Sequence, residues 1–393
     1  MSLFAARTSQ MRVRGQHESG RVTFVELFFD LVFVFAVTQL SHGLLAHLSL
    51  AGLAQMSVLL LAVWWSWINA AWVTNWLDPA RPAVRMMLFA LMLAGLVFAA
   101  AIPKGFEDRA VVLAVAYVSM HVVSDLMMLW SLNRHDAVNF RNFVRISLWH
   151  LAAAPIWLAG SYADATLRLE LWVLAAAIET VAPILGYWVP WIGRSTTSEW
   201  VVAGNHMAER CGLFIIIALG ESILITGATF ATLTWTAEHI AAFLTAFVGS
   251  VALWAVYFNI GAERASRQIE TSSDPGRLAR SGYTFMHLPI VAGIIVIAVG
   301  DELVLHHPGG HIELPALAAL VGGPVLYLVG NALFKRLSAP NLPLSHLIGL
   351  GLLVLAIPAS LYLTPLTLSA ATTAIMIVVA VWEWLSLRRR EER

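Results

Sequence analysis

Glu26 and Asp30 stand four residues apart in VTFVELFFDLVFVFAVTQL (22–40), a run otherwise apolar and aromatic and long enough to cross a bilayer as a helix. On a helix that spacing puts both carboxylates on one face. A charge at membrane depth costs at least ~2.5–3.5 kcal/mol, so both must pair, take up a proton or be hydrated. A second constellation lies in HMAERCGLFIIIALGESILITG (206–227). Glu209 and Arg210 fall in the first turn of a helix there, where free amides favour an anion and a long cationic side chain can snorkel to the membrane face; a structural role is one reading of the pair, and a place among the binding or coupling groups is the other. Glu221 lies about 22 Å from the start of the same helix, too deep for so short a side chain to reach water. Gly212, Gly220 and Gly227 admit a close neighbour or ligand on that helix.

Further along, His121 and Asp125 share a helix face and suit a proton relay or a hydrogen-bonded pair. Arg145, His150 and Glu179 add ionisable groups to the next two apolar runs. With helix direction alternating, Glu26, Asp30, Asp125, Arg145, Glu209 and Arg210 share the cytoplasmic half of the bilayer, where they can neutralise one another. The prediction is that Glu26 or Asp30 lies within about 4 Å of Arg145 or Arg210, beside an internal cavity that Asn69 and His150 also reach. The Trp-rich WWSWINAAW around Asn69 either stacks a ligand or anchors at the interface. His306, His307 and His311 in HHPGGH offer a weak metal set, and His287 before Pro289 reads as packing. Glu383 most simply pairs with the arginines that follow it.

Helices long enough for a membrane must position these groups. The chain is 59% hydrophobic and 12% charged, with sixteen Trp, against about 45–50% and a quarter for a soluble domain. Apolar runs near 22–48, 53–77, 83–102, 109–132, 141–162, 168–190, 206–229, 236–260, 281–305, 314–334, 343–364 and 368–387 give about twelve transmembrane helices, an all-α polytopic membrane protein. Continuous runs of this kind exclude an outer-membrane barrel. Residues 1–21 have no apolar core between their basic residues, so the segment reads as cytoplasmic and not as a removable signal peptide. Twenty Lys and Arg then fall on the cytoplasmic side against Lys104, Arg109 and Arg168 outside, with Arg210 left within a helix. The asymmetry predicts an inner membrane protein with both termini cytoplasmic. Net charge is zero and the basic residues are dispersed, which argues against a nucleic-acid partner and leaves lipids, met by the basic 388–393 tail, and a small molecule or ion. Cys211 is the single cysteine, so no disulfide or Cys-rich metal site forms within the chain, and no cofactor is expected.

The two halves, 22–190 and 206–387, joined by a polar connection at 191–205, carry weak likenesses in the same order. Trp64 precedes Asn69 as Trp254 precedes Asn259, MLAGLVFAAA matches IVAGIIVIAV, and LWHLAAAP matches LLVLAIP. An even number of helices in each half predicts parallel repeats about an axis along the membrane normal. Chance likeness between Leu- and Ala-rich helices is the other reading.

ELFFDLVFVFAVTQLSH (26–42) and HMAERCGLFIIIALGESI (206–223) resemble the two most recognisable motifs of the bacterial low temperature requirement protein A family. The resemblance covers most of the chain and implies a multi-helix membrane protein linked by name to growth in the cold. It carries no substrate or catalytic residue. From the residues, the first expectation is a non-enzymatic secondary transporter, with Asp30 and Glu221 as coupling groups oriented by Glu26, Asp125 and Arg145. A membrane-embedded lipid enzyme using Glu26/Asp30 and His121/Asp125 as acid–base pairs, and a non-catalytic sensor or assembly factor in which the polar cluster only supports folding, are the alternatives.

Overall fold

The computed structural model describes residues 9–12, 21–133, 135–200, 202–259, 272, 274–337 and 341–391. Among the described residues twelve long helices follow one another: α1 (Phe24–Ala46), α2 (Leu50–Trp76), α3 (Pro82–Ala101), α4 (Ala110–Leu132), α5 (Ala137–Tyr162), α6 (Ala165–Ile184), α7 (Gly204–Thr232), α8 (Ala237–Phe258), α9 (His287–His306), α10 (Leu314–Arg336), α11 (Leu344–Ala359) and α12 (Pro365–Glu391). Among the described residues no strand forms, and only the isolated bridges Met11–Leu77 and Val189–Gly193 occur. Eleven of the helices are long and apolar enough to cross a membrane, which makes the chain a multi-pass membrane protein. The twelfth, α6, is 20 residues long and carries Arg168, Glu170 and Glu179.

Local sequence sets the helix starts. Thr23-x-x-Glu26 forms one half of a capping box: the Glu26 Oε2 accepts the Thr23 backbone N–H at 2.8 Å, while the Thr23 hydroxyl donates to the same oxygen at 2.8 Å. Asp136 caps α5 by accepting the Asn139 N–H at 3.0 Å, and Asp164 caps α6 through the Thr166 N–H at 3.0 Å.

Two boundaries differ from expectation. The run expected to continue to 190 stops at Ile184, because Pro183 disturbs the last turn and Gly186 takes a φ of +64°, where a Cβ would press on the Ser195 carbonyl. The loop expected over 262–280 gives way at Pro275, where Asp274 accepts the Arg277 N–H at 3.0 Å and Pro275 opens a helical turn. That turn runs through a π-helical stretch, Arg280–Met286, into α9, while 260–271 lie outside the described residues.

The chain divides into two compact units, one of Met1–Gly43, Leu50–Arg210 and Ile269–Ala279, the other of Leu44–Ser49, Cys211–Gln268 and Arg280–Arg393. In the first, α4 packs on α3 and α5, α5 on α6, and α2 against both α4 and α6. Its core holds Phe29, Phe33, Trp64, Trp67, Trp157 and Trp172, all nearly inaccessible, while Phe28, Leu31, Met86, Leu93 and Leu126 point outward as a lipid-facing surface would. In the second, α9 lies on α10, α8 on α12, and α11 on α10 and α12. The α9–α10 approach needs glycine. A methyl on Gly293 would lie 2.6 Å from the Tyr327 amide nitrogen, and one on Gly323 2.9 Å from that of Ile297. Helices in lipid gain no hydrophobic drive from pairing, so such close backbone contact supplies the dispersion attraction that holds them.

Candidate functional site

Glu26 and Asp30 lie on the buried face of α1 with Phe29, Phe33 and Val37, and neither carboxylate is exposed. Arg210, one turn beyond His206 on α7, meets both: its Nη2 donates to Asp30 Oδ1 at 2.8 Å, and its Nη1 is 3.6 Å from Glu26 Oε1. The guanidinium also lies over the rings of Trp67 and Phe29, at 5.6 and 5.7 Å. It is fully buried, so the snorkelling expected of it does not occur; two carboxylates at its own depth solvate it better than a path to the interface. Trp67 Nε1 donates to the same Asp30 oxygen at 2.8 Å. Trp64 and Trp67 are core residues, and neither is an interfacial anchor.

His206 and Arg12 complete the cluster. The Asn75 amide is fixed by the Ala203 backbone, its Nδ2 donating to the carbonyl at 2.9 Å and its Oδ1 accepting the N–H at 3.1 Å. Nδ2 therefore faces His206 Nδ1 at 3.2 Å as a donor, which leaves the imidazole proton on Nε2, donated to Glu26 Oε1 at 2.7 Å. Arg12 Nη2 reaches both Glu26 oxygens at 3.2 and 3.1 Å, while its Nε donates to the Thr74 carbonyl at 2.7 Å. Residues 9–12 thus pack on the end of α2; Arg12 N–H bonds the Trp76 carbonyl at 2.9 Å. Two carboxylates meet two guanidinium groups and a neutral imidazole. Glu209 stands apart, exposed, accepting the Val22 N–H at 3.0 Å.

A second network crosses α4, α5 and α6. Tyr117, His121 and Asp125 occupy successive turns of one α4 face. Asp125 Oδ2 pairs with His150 Nδ1 of α5 at 2.8 Å; the expected His121–Asp125 pair does not form, because His121 Nδ1 turns to the Tyr117 carbonyl at 3.1 Å. The His121 and His150 rings still meet edge to face, 4.6 Å between centroids, and His121 lies 4.5 Å from the Tyr117 ring. Tyr117 then donates its hydroxyl to Glu179 Oε2 of α6 at 2.6 Å, with Trp157 Nε1 at 3.3 Å from the same oxygen. His121 Nε2 has no hydrogen-bond partner among the described residues.

The remaining expected residues fall elsewhere. Arg145 donates to Asn142 Oδ1 at 2.6 Å and to the Ile192 carbonyl at 2.7 Å, joining neither network. Asn69 is half-buried and outside both. Glu221 is buried on α7. His287 Nδ1 lies 2.8 Å from the Gly282 carbonyl in the π-helical stretch, and its Nε2 2.8 Å from the Tyr257 hydroxyl. His306 is 4.0 Å from Glu302. Glu383 pairs with Lys335 of α10 at 2.6 Å, and His346 Nδ1 is 3.4 Å away; the side chains of the arginines expected to meet it, Arg388, Arg389, Arg390 and Arg393, lie outside the described residues.

His206, Arg12, Tyr117 and Lys335 were not legible as partners from the sequence. For His206 a signal existed: it precedes Arg210 by four residues, as Glu26 precedes Asp30, so two matched faces meet.

The bacterial low temperature requirement A protein (LtrA) family model matches residues 21–381. A protein of Rhizobium meliloti (strain 1021), named Uncharacterized protein RA0937, is 40% identical over 370 residues, covering 94% of this chain and 90% of its own length. No solved structure matches the chain. Agreement over nearly the whole length, including both motifs that build the α1–α7 cluster, shows that the chain belongs to the bacterial low temperature requirement A protein family.

Proposed function

We propose that the protein is a secondary transporter in which the carboxylate–histidine line of α4–α6 exchanges protons and the α1–α7 ion cluster fixes the surrounding helices. One observation carries this reading: Asp125, His150, His121, Tyr117 and Glu179 stand side by side on three adjacent helices. Ionisable groups at membrane depth generally mark ion or substrate paths, and imidazole is the side chain whose ordinary titration lies nearest physiological pH. Asp30 and Glu26, tied to Arg210, Arg12, Trp67 and His206, serve as structural groups in this scheme and not as the coupling pair. Glu221, buried and free of any hydrogen bond or ion pair among the described residues, remains a coupling group.

The cargo is a small molecule or ion, the membrane is the inner membrane, and both termini are cytoplasmic. The family name supports a role in growth in the cold. The test needs no known substrate. Wild-type protein in liposomes on a solid-supported membrane should give a transient charge displacement when the bath steps from neutral to acidic pH. Asp125→Asn and Glu179→Gln, folded by thermal melt, should each lose most of it. Equal currents in wild type and the double variant, or none in wild type, would overturn the proposal. One observation favours a second reading: Asp125–His150 at 2.8 Å is also the geometry of a general acid–base pair acting on lipid. A deletion strain with altered lipid composition, restored by wild type and not by Asp125→Asn, would select it.

A further inference from the structure

Asp301 lies near the end of α9, where AVGDELVL reads as the edge of a membrane run, yet the side chain is only 7% exposed. Its carboxylate makes no hydrogen bond or ion pair among the described residues. It lines a partly open pocket of the second unit with about 20 Å³ open to the centre of a water-sized sphere. A buried water needs about 10–15 Å³ on that measure, so the space takes one or two water-sized occupants and excludes a metabolite.

The walls supply oxygen. Ser369, Thr372 and Thr373 face the cavity from one side of α12. Thr372 donates its proton to the Ser369 carbonyl at 3.0 Å, which leaves its oxygen lone pairs for an occupant. Pro324 of α10 has no N–H, so the carbonyl four residues back, Leu320, is released from the helix ladder; both residues line the cavity. Gly249 of α8 keeps the opposite wall clear, since a Cβ there would come within 3.3 Å of Thr373 Oγ1. One formal negative charge among neutral hard oxygens, in a space of one or two atoms, matches a small monovalent cation. A divalent ion asks for more carboxylates, and a carboxylate left alone at this depth is costly.

We propose that this cavity is a sodium-sized monovalent cation site, with Asp301 as the charge and the α12 hydroxyls and the Leu320 carbonyl as neutral oxygens. The site stands on its own geometry, whether or not the chain moves protons. Purified full-length protein in detergent is assayed for binding of radiolabelled sodium, with potassium and choline as competitors, and for its melting temperature in each salt at equal ionic strength. Wild type should bind sodium saturably and melt higher in sodium than in choline. Asp301→Asn should lose both effects, and Thr372→Val and Gly249→Ala should weaken binding several-fold. If Asp301→Asn does not fold, the latter two carry the test. Sodium binding unchanged in the variants that fold, or wild type indifferent to sodium over choline, would overturn the site and leave a protonated Asp301 beside water.

Discussion

Glu26 in the α1–α7 cluster accepts from Thr23, Arg12 and His206, and Asp30 from Arg210 and Trp67, so two guanidinium groups stand opposite two carboxylates there, although Asp30 Oδ2 and Arg210 Nε and Nη1 have no hydrogen-bond partner among the described residues. In the α4–α6 network, Asp125 has a histidine, Glu179 has a phenol and an indole, and among the described residues no guanidinium stands opposite either. Both sets are buried in the same unit. The difference teaches that burial of a carboxylate is no guide to its role. In the ion cluster each carboxylate has a guanidinium opposite it, so removing either charge leaves its partner buried without a counter-ion. A carboxylate facing an imidazolium can take its proton and leave both groups neutral, as Asp125 and His150 are placed to do, while Tyr117 remains a neutral donor to Glu179.

The comparison breaks first at Arg210. Arg210→Met leaves Asp30 and Glu26 short of a counter-charge in the core, and removing one member of a buried pair costs about 3–5 kcal/mol. Unfolding in mixed micelles should show that loss, with partial recovery in the Arg210→Met, Asp30→Asn double variant. A double variant no more stable than the single would mean the two do not form a closed pair. Trp67→Phe tests the neutral donor: losing one hydrogen bond to a buried charged group should cost about 1–3 kcal/mol by the same measurement. Thr23→Ala should cost about 1 kcal/mol through the lost hydroxyl bond to Glu26, which keeps its other donors. The smallest stability effect belongs to Glu179→Gln, about 1 kcal/mol or less, because the amide can still accept from Tyr117. That variant should nonetheless abolish most of the pH-driven charge displacement. If it destabilised as strongly as Arg210→Met, the contrast between the two networks would disappear.

Much of this was legible in the residues. Glu26 and Asp30 one turn apart on an apolar helix required an interior face and a cation, and Arg210 supplies it. Partner choice was less legible. His121 and Asp125 share a face, yet Asp125 bonds across to His150, because an intrahelical pair competes with the backbone carbonyl at Tyr117 and with whatever α5 presents. Lys335 and Glu383, 48 residues apart in the chain, meet because α10 and α12 pack together.

Composition and run length determined by themselves that the chain is a helical membrane protein, because a bilayer demands about 20 apolar residues and internal satisfaction of every backbone group. Caps and prolines determined where several helices begin and end. Which face of each helix turns inward was left to the tertiary structure. A transmembrane helix is apolar on its lipid side and on its protein side alike, so the periodicity that orients a helix in water carries little information here. Only packing decides which polar groups meet, and with that which carboxylates are closed into ion pairs and which, like Asp301, are left facing a cavity.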